Sequence, residues 1–245
     1  MVTTRSQVKS KEPAMAATGP APAPMESCVA EFGAGALWAI AQAFALSVPS
    51  MFGVHEAFAL PPLVAAIVLF QLVLYSQGAP SAAVQLGEYA SQVKPQGVRQ
   101  ALMTVGATMA GSVVGSVFAR DALTWFDIPL QGIRPPISFF PQHGAALVLA
   151  VEGATSLAMC ALSITLVPKH MVAGLIGLFV APVPATILGV PGIDPAWSLG
   201  RAYAAKHFDE VLLYLLGPFA GAAAFGVAYQ IAASRRSTKT KVKRT

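Results

Sequence analysis

The chain has 245 residues, of which 55% are hydrophobic and 11% charged, with a net charge of +5. Soluble domains carry about 25% charged residues, so this much apolar surface excludes an ordinary water-facing globule and points to lipid as the solvent. The positive charge does not make a nucleic-acid face. Nine of the sixteen Lys and Arg sit in two tails, Arg5, Lys9 and Lys11 at the start and Arg235, Arg236, Lys239, Lys241, Lys243 and Arg244 at the end, and basic tails flanking apolar segments act as topology signals.

In chain order, residues 1–28 hold Pro, Ala, Lys and Ser without the apolar core of a signal peptide, and are expected to be a disordered cytosolic tail. A bilayer core needs about 20 mostly apolar residues per helix. The first such run, 32–50, opens just after Glu31, and the second, 57–75, is entered through Leu60-Pro61-Pro62-Leu63-Val64. A shorter apolar segment, 81–92, is near half a span. The third run, 100–119, is lined with Gly106, Gly111 and Gly115. Small residues let backbones approach closely where no hydrophobic drive exists between helices. The fourth run, 145–167, carries Glu152 and Cys160, and the fifth covers 171–190. A second half-length segment, 194–204, precedes the sixth run, 211–232, with Gly217, Gly221 and Gly226. Residues 233–245 form a basic cytosolic tail. At ~1.5 Å per residue, the two half-length helices laid end to end cover one membrane thickness.

The halves repeat. Ala83-Val84-Gln85-Leu86-Gly87-Glu88-Tyr89-Ala90 is similar to Ala196–Ala204, Met109-Ala110-Gly111-Ser112 to Phe219-Ala220-Gly221-Ala222, and Glu31 pairs with Glu152. Three ordered matches indicate one duplicated unit of three spans, residues 29–120 and 144–232, within a channel domain over 29–232. An odd number of spans per unit inverts the second copy, with the functional site where the copies meet. Six spans put both tails on one side, and with the loop cations Lys94, Arg99 and Lys169 that side holds most of the basic residues, which places both termini in the cytosol. Lys241 and Lys243 are spaced like a dilysine retrieval signal, so endoplasmic reticulum and plasma membrane both stand as locations.

These features together resemble the aquaporin (major intrinsic protein) family, and within it the small basic intrinsic proteins. The residues that carry the resemblance are Glu31, Glu152, the segment Gly192–Gly200, and Gly217-Pro218-Phe219-Ala220-Gly221-Ala222. The resemblance implies an all-α membrane protein: a right-handed bundle of six transmembrane helices plus two re-entrant half-helices. It also implies a homotetramer, a lipid environment, no cofactor, and a pore for water and small neutral solutes such as glycerol. The family's paired Asn-Pro-Ala motifs correspond here to Ser81-Ala82-Ala83 and Asp194-Pro195-Ala196, the filter Arg to Trp197, and the other filter positions to Pro182, Pro191 and Pro61. Glu31 and Glu152 correspond to the pair that braces the re-entrant loops.

The departures are chemical. The chain contains no Asn. Ser81 and Asp194 still serve as helix N-caps, and Pro195 fits the first helical position, where no N–H is needed. A helix N-terminus carries about half a positive charge, so an ionised Asp194 would offset the centre that excludes cations. Trp197 removes a fixed charge, and Arg201, four residues on, shares its helix face. Two other readings therefore stand beside the water channel: a channel that passes ions or protons, and a non-conducting membrane protein that keeps the fold. No motif for an enzyme is present. His55, His143, His170 and His207 are scattered in loops, without a metal-binding pair or a phosphate loop.

Overall fold

The computed structural model describes residues 24–53, 81–93, 96–135, 144–181 and 194–242. Every regular element among them is helical. A chain in lipid must satisfy each backbone N–H and C=O internally, and a helix does so within one segment. Four helices are long and apolar enough to cross a membrane, over Met25–Ser50, Val98–Trp125, Gly144–Leu166 and Val211–Arg235. The protein is a multi-pass integral membrane protein. The second predicted span, 57–75, and the end of the fifth lie outside the described residues.

The elements are α1 (Pro24–Ser50), α2 (Ala82–Ser91), α3 (Val98–Trp125), a 3-10 turn (Gln131–Ile133), α4 (Gly144–Ala161), α5 (Met171–Val180), α6 (Pro195–Ala205) and α7 (Val211–Val242). Several run past their apolar cores. Helix α1 begins at Pro24, inside the stretch expected as a tail, and α7 continues through the basic residues to Val242. Once nucleated, a helix adds one hydrogen bond per residue, so it does not stop where hydrophobicity ends. Helix α4 passes at Leu162 into a π-helical turn ending at Leu166, after which Met171 opens α5.

Close packing is set by glycines. Helix α1 lies against α3, and α4 against α7. At Gly111 and Gly115 of α3 an added Cβ would run into the carbonyls of Phe32 and Ala36. At Gly221 of α7 it would run into the carbonyl of Gly153, and at Gly217 it would lie 2.8 Å from the Glu152 Cβ. The two pairs therefore correspond: Gly111 meets the residue after Glu31, and Gly221 the residue after Glu152. The short helices cross over, with α2 packing chiefly on α7 and α6 on α3. Two apolar clusters mark these crossings. Ala43, Leu123, Ile133 and Ala204 join α1, α3, the 3-10 turn and α6. Ala83, Val84, Cys160 and Phe225 join α2, α4 and α7.

The 3-10 turn is tied to α1 by the Gly132 N–H, which donates to the buried Ser47 Oγ at 2.9 Å. Large apolar side chains such as Leu102, Phe118, Leu216 and Val227 face outward. That pattern is the inverse of a water-soluble bundle and fits helices solvated by acyl chains. Trp125 is exposed at the last turn of α3, as expected of an interface aromatic.

Candidate functional site

The two short helices begin at the same place in the molecule. Ser81 caps α2 in an extended conformation, its hydroxyl accepting from the Val84 N–H at 3.4 Å. Asp194 caps α6, its Oδ1 accepting from the Ala196 N–H at 2.9 Å, with Pro195 in the first turn. These are the capping roles that the sequence predicts for both residues.

The Asp194 carboxyl also faces the Ser81 hydroxyl and the Ala82 N–H of the other short helix. The structure thus brings Ser81, Ala82 and Asp194 together where two helix N-termini converge. Ala82, Ala83, Asp194, Pro195 and Ala196 at the junction are all buried, and Ser81 is partly buried. Asp194 Oδ2 lies in this buried space without a well-formed hydrogen bond. Two N-termini contribute about half a positive charge each, and one carboxyl sits between them. The arrangement can hold a proton, or it can present a carboxylate balanced by two dipoles.

Trp197 and Arg201 follow on α6. The Arg201 guanidinium carbon lies 3.9 Å from the centroid of the Trp197 ring, and both side chains are buried. A desolvated cation–π stack is worth about 2 kcal/mol. Arg201 is therefore a buried helix residue. Tyr214 of α7, fully buried, lies within electrostatic reach of Arg201, Glu152 and Glu210.

Glu31 lies on α1. Its Oε2 accepts from Gln85 Nε2 at 2.6 Å. Gln85 lies one turn into α2 and is also joined to Thr108 of α3 at 2.8 Å, so a polar triad ties α1, α2 and α3 together. Glu152 is fully buried on α4 beside Gly217. Pro61, Pro182 and Pro191, the remaining predicted filter positions, lie outside the described residues. Sequence reasoning missed Gln85 and Thr108 as partners of Glu31. Gln85 is the one amide within α2, set among Ala, Val, Leu and Gly, and that contrast was the available signal. Among the described residues no group of three or more His, Cys, Asp and Glu is placed to hold a metal ion.

No family model matches the chain, and no curated protein matches it. A solved structure described as an FNT family ion channel is similar in fold, with a TM-score of 0.56 at 13% identity, covering 87% of this chain and 90% of that chain. The likeness is one of fold. It overturns the resemblance to the aquaporin family and its small basic subgroup, because the chain matches no family model and its structural neighbour belongs to a different family of channels. The physical reason for the error is that paired inverted short helices are a general solution for a site at the bilayer midplane. The features specific to aquaporins, two Asn and a filter Arg, are those that the sequence lacks.

Proposed function

We propose that the chain is a passive membrane channel permeable to a small ion or to protons. The observation that carries this reading is the buried Asp194 carboxyl, placed where the N-termini of α2 and α6 converge and facing the Ser81 hydroxyl and the Ala82 N–H of the other short helix. Ionisable groups inside a membrane face cavities and mark ion or proton pathways. A pore for neutral solutes relies on uncompensated positive helix ends to turn cations and protons away. A carboxyl between those ends removes that barrier, or exchanges a proton with whatever enters. The fold neighbour's description as an ion channel supports the same side of the choice, and nothing in the comparisons supports water or glycerol.

The finer architecture belongs to the same proposal: six spans in two inverted units of three, both termini cytosolic, and a homotetramer with one pore per subunit. The corresponding glycine contacts of α1 with α3 and of α4 with α7 support the inverted units. A pore between the units would pass Ser81 and Asp194, with Trp197 and Arg201 further along α6.

The test uses purified full chain in proteoliposomes holding a pH-sensitive dye, with imposed proton and salt gradients and a clamped membrane potential. The expected result is dye response or ion flux well above that of empty vesicles. Osmotic shrinkage above empty vesicles without any ion or proton flux overturns the proposal in favour of a neutral-solute pore.

A further inference from the structure

A helix leaves its last four carbonyls without partners inside the helix, and within a membrane bundle each of them needs a donor from elsewhere. Helices α2 and α6 end in matching ways. Gln92 and Lys206, their C-caps, take left-handed conformations with φ of 57° and 54°. From there the Gln92 N–H turns back to the Tyr89 carbonyl, and the Lys206 N–H to those of Ala202 and Tyr203. The His207 N–H also reaches the Ala202 carbonyl, at 2.9 Å.

The carbonyls of Ala90 and Ala204, each two residues before its C-cap, are taken by side chains. Gln230 Nε2 of α7 donates to the Ala90 carbonyl at 2.5 Å. Arg120 Nη1 of α3 donates to the Ala204 carbonyl at 3.1 Å, while the same guanidinium holds Asp121 at 2.7 Å. Each donor comes from the long helix of the half opposite to the short helix it holds. The backbones are close enough to make this a fixed contact. A Cβ at Gly226 would collide with Ala90, and one at Gly200 would lie 2.6 Å from the Ser112 carbonyl.

We propose that Arg120 and Gln230 are positioning residues, a crossed pair of clamps that set where Ser81 and Asp194 meet. A short helix is a stiff rod of ten or eleven residues, so fixing its C-terminal carbonyl fixes the position of its capping residue at the other end. The clamps are chemically unequal. Arg120 places a cation at the negative end of α6, a favourable pairing with the helix dipole. Gln230 offers α2 only a neutral donor, so α2 is the half of the junction that is released more readily. The consequence for permeation rests on the channel reading above; the clamp itself does not.

Backbone hydrogen–deuterium exchange of the reconstituted full chain tests both parts. Loss of one hydrogen bond is expected to speed exchange roughly 3- to 10-fold. Arg120→Met should do so within Pro195–Ala205 and leave Ala82–Ser91 at the parent rate, and Gln230→Leu should do the reverse. Arg120→Lys and Gln230→Lys, which keep a donor, should restore parent rates. Where Arg120→Met or Gln230→Leu fails to fold, Arg120→Ala or Gln230→Ala makes the same comparison. Unchanged exchange, or loosening of both short helices alike, overturns the clamps. In the same vesicles, parent-like ion flux alongside crossed loosening overturns the positioning role. A parent that conducts nothing counts against the channel reading alone, and the exchange pattern then decides the clamps by itself.

Discussion

At the scale of single residues, buried polar groups are placed in pairs and triads because isolation in lipid is costly. The Glu31–Gln85–Thr108 triad shows this. Gln85→Leu leaves Glu31 and Thr108 without their shared donor, and should lower stability by about 1–2 kcal/mol. The measurement is thermal unfolding of the purified protein in detergent, with Gln85→Glu as a variant expected to fare worse because it sets two carboxyls face to face. The N-caps were legible in the sequence because Ser and Asp before an apolar segment have a defined local role. The triad was not, because its members lie far apart in the chain and only the packing of three helices brings them together. The Trp197–Arg201 stack falls between these cases. A four-residue spacing announces a shared face, but only tertiary packing decides that the face is buried.

At the scale of elements, the apolar runs located α1, α3, α4 and α7, and the half-length runs located α2 and α6 to within a residue or two. What the runs did not give are the helix ends. Helix α3 covers 28 residues, longer than a ~30 Å hydrocarbon core requires, because polar residues at the interface can remain helical. The π-helical turn at Leu162–Leu166 has a signal that the apolar runs do not show: Pro168 has no N–H for the Ile164 carbonyl one turn back, and its ring crowds that carbonyl. Glycines separate into two kinds, and the difference is testable. Gly111→Ala and Gly221→Ala force a methyl against a neighbouring backbone carbonyl and should each cost about 1–3 kcal/mol. Gly33→Ala and Gly106→Ala meet nothing within 4 Å and should be neutral or stabilising by up to ~1 kcal/mol. Unfolding of the four variants under one set of conditions checks the ranking.

At the scale of the whole molecule, two long-helix pairs are joined through short helices that cross to the opposite pair. The sequence repeat made this architecture legible, and the same repeat led to the wrong family. Membrane physics allows few ways to bring irregular backbone to mid-membrane depth, so unrelated channels reach similar layouts, and fold alone does not name a family. The informative residues were the departures, Asp194 and Trp197, which change the charge of the site while leaving its caps intact. The proposed six-span arrangement predicts that cysteines placed at Ala16 and Thr240, with the natural Cys28 and Cys160 replaced by Ser, react with an impermeant thiol reagent from the same side of sealed vesicles. Reaction from opposite sides would mean an odd number of spans.

The central claim is that the Asp194 carboxyl makes the junction of α2 and α6 permeable to ions or protons. A unit charge at ~4 Å in an effective dielectric of ~20 is worth about 4 kcal/mol, and each 1.4 kcal/mol is about tenfold in a rate. The most direct measurement is therefore ion and proton flux through reconstituted Asp194→Asn beside the parent, at equal amounts of folded protein. The account predicts at least a tenfold loss, with the Asn still able to cap α6. Equal flux through the two proteins would contradict it.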